Sequence, residues 1–90
     1  VMSELSAEQK GRRAKEILED EIFVEVLEKV RHSIIAQWTL TDVNEVGVRE
    51  SLYMQGRGLD EIVRGLRTLV GDWAVEQSRK VSKSNRGRKL

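Results

Sequence analysis

Apolar residues along this chain recur at helical intervals. Phe23, Leu27, Val30, Ile34 and Trp38 follow one another at spacings of 4, 3, 4 and 4 residues, which places them on one side of a helix. Further on, Leu52, Leu59, Leu66 and Trp73 repeat every seven residues. Val48, Gln55, Ile62 and Leu69 fill the second position of the same seam, and Val63 and Val70 broaden it. A shorter stripe of Ala7, Gly11, Ala14 and Leu18, with Ile17 beside it, precedes both. No run rich in Val, Ile or Tyr alternates cleanly with polar residues, so strands are not expected. The pattern predicts three helices, at about residues 7–19, 21–38 and 43–76.

The ends of these helices carry their own signals. Ser6-Ala7-Glu8-Gln9 has the form of a capping box, in which the serine oxygen accepts from the Gln9 amide and the Gln9 side chain reaches back. At Glu19-Asp20-Glu21 the apolar stripe slips, and a straight helix cannot keep Leu18 on the face that Phe23 and Leu27 define. A bend near Asp20 is expected, with its carboxylate capping the next helix. Asp42-Val43-Asn44-Glu45 reads as a second box, with Thr41 as a substitute cap.

The connection around residues 39–42 is short, and short loops make helices antiparallel neighbours. That register sets Trp38 near Val43–Val46, Val30 near Leu52, Phe23 near Leu59–Ile62, and Leu18 near Leu66. The expected fold is an all-α antiparallel helical hairpin with a bent N-terminal arm. Two helices in contact enclose little interior, so the chain is expected to be a homo-oligomer or to engage another protein. Residues 1–6 read as a disordered N-terminus, 7–78 as the hairpin domain, and 79–90 as a flexible basic tail. Gly56, Gly58, Gly65 and Gly71 each weaken the third helix by about 1 kcal/mol relative to alanine, unless close backbone approach requires them. Gly71 is a candidate end of that helix.

Charge divides the chain more sharply than its net value of +1 suggests. Six of the 16 Lys and Arg residues fall within 79–90, where there is no acid. The first 78 residues therefore carry ten bases against 15 acids. Within them Lys10, Arg12, Arg13 and Lys15 form a basic patch, followed by Glu16, Glu19, Asp20, Glu21, Glu25 and Glu28. Flexible basic residues contact nucleic-acid phosphates, so Lys10, Arg12, Arg13, Lys15, Arg79, Lys80, Lys83, Arg86, Arg88 and Lys89 are the candidate nucleic-acid contacts. The basic tail has no aromatic residue for stacking on bases, which argues against sequence reading. A solubilising tail or a docking segment for an acidic protein fits the same residues.

Little in the sequence points to catalysis. There is no cysteine, and His32 is the only histidine, so the residue types for a transition-metal cluster are lacking. The acidic run lies along a helix surface rather than converging in a pocket, and matches no calcium loop. Gly56-Arg57-Gly58 falls inside the heptad run, not after a strand where a phosphate loop would sit. No enzyme activity, cofactor or metal is expected. No apolar run approaches the ~20 residues of a membrane helix, and the first ten residues lack the order of a signal peptide. A soluble intracellular protein with no membrane partner is the expectation. Tyr53 and Met54, off the main seam, and Trp73 are the candidate partner contacts.

Ala14-Lys15-Glu16-Ile17-Leu18-Glu19-Asp20, then Trp38-Thr39, then Arg49-Glu50-Ser51-Leu52-Tyr53 form a pattern that resembles a group of short helical proteins of tailed bacteriophages, encoded among head and DNA-packaging genes. The likeness spans about residues 10–72. It departs at Glu21, where members of the group commonly have proline. The resemblance implies a non-enzymatic, self-associating accessory or structural protein of virion assembly, found in the host cytoplasm or the virion. It implies no catalytic residue. A nucleic-acid-binding packaging or regulatory subunit, and a phage-encoded inhibitor of a host protein, are the other readings.

Overall fold

A computed structural model describes residues 4–88 of the chain, with side chains described through Val81. Every regular element among these residues is an α-helix: α1 (Ala7–Glu19), α2 (Glu21–Leu40) and α3 (Val46–Arg88). Proline is absent from the chain, so nothing in it forces a helix to break.

α1 begins at the expected capping box. The Gln9 amide donates to Ser6 Oγ at 3.1 Å, and the Ser6 amide donates to Gln9 Oε1 at 2.9 Å. α1 ends and α2 begins at a single residue, Asp20, whose backbone is extended (φ −67°, ψ 125°). Its Oδ1 accepts from the Phe23 amide at 2.9 Å, and its amide donates to the Ile17 carbonyl at 3.2 Å. The bend thus satisfies backbone groups on both sides, and the stripe can change face without leaving helix ends unpaired.

The connection, residues 41–45, is a hydrogen-bonded turn. The Glu45 carboxylate accepts from the Asp42 amide at 2.8 Å, and the Glu45 amide donates to the Asp42 carbonyl at 2.9 Å. Half of the expected box is present, but its residues form the turn itself, so α3 starts at Val46 rather than residue 43. The other end differs more. α3 runs unbroken through Gly71 to Arg88, although residues 79–90 read as a mobile tail and the helix as ending near 76. Lysine and arginine favour helix, and positive charge near a helix C-terminus complements the exposed carbonyls there. Lys89 and Leu90 lie outside the described residues.

Three pairs of partners show how the N-terminal arm lies on α3. Arg49 Nε donates to Thr41 Oγ1 at 2.8 Å, Arg31 Nη2 meets Asp60 Oδ1 at 3.3 Å, and Gly11 lies against Trp73. Moving back along the arm means moving forward along α3. From Thr41 to Arg31 and from Arg49 to Asp60 the register holds within one residue. Beyond the bend it shifts by seven, since Gly11 lies 20 residues before Arg31 and Trp73 only 13 after Asp60. The same offset sets Leu18 opposite Leu66, as expected, and both are half-buried. Along α2 the register differs from the expected one. The Arg31–Asp60 and Thr41–Arg49 contacts set Val30 opposite residues 60–61 rather than Leu52, and Phe23 opposite residues 67–68 rather than Leu59–Ile62, because the turn extends to residue 45 and the arm is offset along α3.

The tightest contact is between α1 and α3. Gly11 and Ala14 are buried. A Cβ added at Gly11 would run into Trp73 Cβ, and would lie 2.9 Å from Trp73 Cγ and 3.0 Å from the Leu69 carbonyl oxygen. By contrast, nothing lies within 4 Å of where a Cβ would sit on Gly56, Gly58, Gly65 or Gly71. The close approach that glycine permits is made by α1, not by the glycines of α3.

The seam of α3 is rotated from the expected one. Leu52, Leu59, Leu66 and Trp73 do face the arm, with Leu52 buried. Their companions are Arg49, Gly56, Val63, Val70 and Gln77, each half-buried or buried, and Val63 is only 4% exposed. Val48, Gln55 and Ile62 are exposed, and only Leu69 of that row is half-buried. Arg49 is drawn in by Thr41 and Trp38 across the turn. The resulting molecule is long and thin, 70 × 26 × 25 Å, with a radius of gyration of 19.6 Å. A compact chain of this length would have a radius of about 12 Å.

Candidate interaction surfaces

Between α2 and α3 runs an open groove whose two halves differ in chemistry. Near the connection it is lined by Ile34, Ile35, Trp38, Leu52, Tyr53 and Gly56, with the charged Arg57 and Asp60 at its α3 edge. Trp38 and Tyr53 continue its wall to Val43, Val46 and Arg49, so Trp38 does lie near Val43–Val46 as expected. The guanidinium of Arg49 sits 4.8 Å from the centroid of the Trp38 ring and holds it against the turn. Thr41 completes this corner, its hydroxyl donating to the Trp38 carbonyl at 2.6 Å while accepting from Arg49.

Toward the bend the groove becomes polar. Arg31, Asp60, Val63, Arg64, Arg67 and Thr68 line it, and the Arg31–Asp60 pair divides the two halves. Arg64 has only a long contact to Glu61, at 3.6 Å, and Arg67 has no ion pair among the described residues. Both are exposed, and an exposed pair contributes little, so these guanidiniums remain open to a partner. Sequence reasoning missed Ile35, Arg31, Asp60, Arg64 and Arg67 as a group. The register expected from the short connection set Val30 near Leu52, about eight residues short of where Asp60 meets Arg31, so it gave no sign of this group.

α2 supplies the apolar half but hides nothing of itself. Phe23, Leu27 and Ile34 are half-buried, no α2 residue is buried, and Ile22, Val26, Ile35 and Leu40 are 65%, 51%, 61% and 85% exposed. Of the candidate partner contacts, Tyr53 and Met54 are indeed exposed, at 58% and 63%. Trp73 is not free in that way. It packs over Gly11 of its own chain, and its indole N–H is buried without an acceptor among the described residues.

A second surface forms at the far end, where α1 meets the last part of α3. Packing Gly11 on Trp73 sets the patch of Lys10, Arg12, Arg13 and Lys15 level with residues 69–74 of α3, and Arg79 and Lys80 follow six and seven residues past Trp73, or about 10 Å at ~1.5 Å per residue. Arg12 is engaged by Glu8 at 2.6 Å, and Lys10 is half-buried; Arg13, Lys15, Arg79 and Lys80 are exposed. The backbones of Lys83, Arg86 and Arg88 belong to α3, their side chains lie outside the described ones, and Lys89 lies outside altogether.

His32 is exposed on α2. Among the described residues no group of three or more His, Asp or Glu side chains could hold a metal ion, and no helix is long and apolar enough to cross a membrane. In comparisons with known proteins, no family model matches the chain, and neither a curated protein nor a solved structure matches it.

Proposed function

We propose that this chain is a non-enzymatic, self-associating protein that acts through its helix faces, folded as an antiparallel hairpin with a bent N-terminal arm. The observation that carries this reading is α2. Its large apolar residues recur at helical spacing, yet not one of its 20 residues is buried within the chain. Burying a side chain such as Ile or Leu contributes roughly 1.5–3 kcal/mol, so several left open on one helix favour a covering partner. The likeness of residues 10–72 to short helical phage proteins supports a role as an accessory or structural component in virion assembly. The host cytoplasm or the particle would then be its location.

Light scattering coupled to size-exclusion chromatography tests self-association directly. The expected mass is a multiple of the 10.3 kDa chain. A monomer that persists to about 100 µM, a concentration at which even weak dimers form, contradicts the reading.

A second reading rests on the basic end. The basic residues of α1 and Arg79 with Lys80 lie on helices that pack together through Gly11 and Trp73, and this reading takes them as one surface. Nucleic-acid binding there would weaken steeply with added salt, as counterions released from phosphates are restored. Undetectable binding to duplex and single-stranded DNA at low salt removes it.

A further inference from the structure

We propose that the groove between α2 and α3 is closed by a second copy of the same chain, related by a twofold axis running along the length of the molecule, to give a four-helix bundle. This rests on the self-association proposed above and specifies its geometry.

Area favours such an occupant. The chain exposes 7567 Å², whereas a compact protein of its mass exposes about 5,400 Å². The excess, about 2,200 Å², is larger than the ~800 Å² per partner of a standard interface.

The groove is complementary to itself in only one sense of rotation. On α2, Glu28 and Glu21 stand seven and fourteen residues before Ile35, so helical spacing puts both exposed carboxylates on the row of that groove residue; on α3, Tyr53, Asp60 and Arg67 line the groove at the same spacing, with Arg64 one row further out. The Arg31–Asp60 pair fixes their levels. At ~1.5 Å per residue, Glu28 and Arg64 lie about 4.5 and 6 Å from it on the same side, and Glu21 and Arg67 about 15 and 10.5 Å. Ile35 and Tyr53 lie on the opposite side of that pair.

A twofold axis along the molecule keeps every level and exchanges the helices, so that α2 of each copy covers α3 of the other. The acidic edge of α2 then meets the arginine edge of the partner's α3, twice. Neither Glu21 nor Glu28 has an ion pair within its own chain among the described residues. The apolar half meets the apolar half, with Trp38 and Tyr53 as aromatic anchors and the exposed Arg57 side chain at the rim, where its charged end stays in water. A twofold axis across the molecule at the level of that pair would instead lay each helix on its own copy, setting the arginines against Tyr53 and the glutamates against Ile35. Such an interface is isologous and closes on itself.

Charge reversal on either edge tests this arrangement. R64E/R67E makes both edges acidic and E21K/E28K makes both basic. Each variant alone should dissociate, with a dimer constant weakened by about 100-fold, since like charges placed in contact cost several kcal/mol. Mixed in equal amounts, the two should re-form a 1:1 dimer of wild-type mass, because each acidic edge again meets a basic one. Light scattering reads the mass and circular dichroism confirms that each variant remains helical. A wild-type oligomer whose mass neither pair of changes alters, or reversed variants that fail to recombine, overturns this geometry and leaves self-association standing. A wild-type monomer at about 100 µM overturns both.

Discussion

Along α1, Gly11 and Ala14 are buried against α3 and the two backbones nearly touch, whereas along α2, longer and richer in large apolar residues, no residue is buried. Both helices lie on the same partner, so the difference is in what they bring to it. A contact between two helices can enclose a hydrogen atom or a methyl group completely. An isoleucine or a tryptophan reaches past the seam and stays partly wet until a third or fourth helix covers it. On α3, Leu52 and Val63 are closed because they point straight into the seam. On the arm, only the small residues of α1 are closed, and the large residues of α2 mark where the chain is still open.

The sharpest way to break this comparison is to spoil the tight side. Gly11→Leu forces a side chain into Trp73 and the Leu69 carbonyl, where the backbone on one side cannot yield. A loss of about 3 kcal/mol is expected from overpacking, read as a drop in the thermal midpoint by circular dichroism at fixed protein concentration. A change of less than about 0.5 kcal/mol, the usual range for surface sites, would show that α1 does not hold to α3 as described.

A smaller effect is expected at the bend. Asp20→Ala removes the carboxylate that accepts from the Phe23 amide, and loss of such a cap costs about 1 kcal/mol. Asp20→Asn, which keeps an acceptor, should retain most of that stability in the same melting experiment.

The smallest change should be a gain. A Cβ at Gly65 meets nothing within 4 Å, so Gly65→Ala should stabilise α3 by about 0.5–1 kcal/mol through helix propensity alone. Alanine at position 65 and leucine at position 11 thus pull in opposite directions, although both replace glycine in a helix.

Local features of this fold were legible in the sequence. Ser6 with Gln9, and Asp20 before Phe23, act within three residues of themselves, so their chemistry is visible without knowing what packs where. The heptad row from Leu52 to Trp73 was legible for the same reason. The companion row was not. Val48, Gln55 and Ile62 are as regularly spaced as Arg49, Gly56 and Val63, and the choice between the rows is a rotation of α3 about its own axis. Arg49 favours that rotation through its contacts with Thr41 and Trp38 across the turn. The use of Gly11 was hidden too, because its value depends on Trp73, 62 residues away. At the far end of α3, basic composition suggested a tail, yet nothing in residues 79–88 stops a helix already formed.

Of the candidate contacts, Tyr53 and Met54 stood out as apolar residues off the seam, and their exposure follows directly from that position. The Arg31–Asp60 pair and the arginines beyond it needed the register of two helices, and the place of the basic α1 patch along α3 needed the packing of Gly11 on Trp73.

Hydrogen exchange of the full-length chain, measured at low and at high protein concentration, addresses the open side most directly. If a second molecule covers the outer edge of α2, its backbone amides should exchange more slowly as concentration rises, while those around Gly11 and Ala14 in α1 change little. Protection of α2 that is the same at both concentrations would contradict the account.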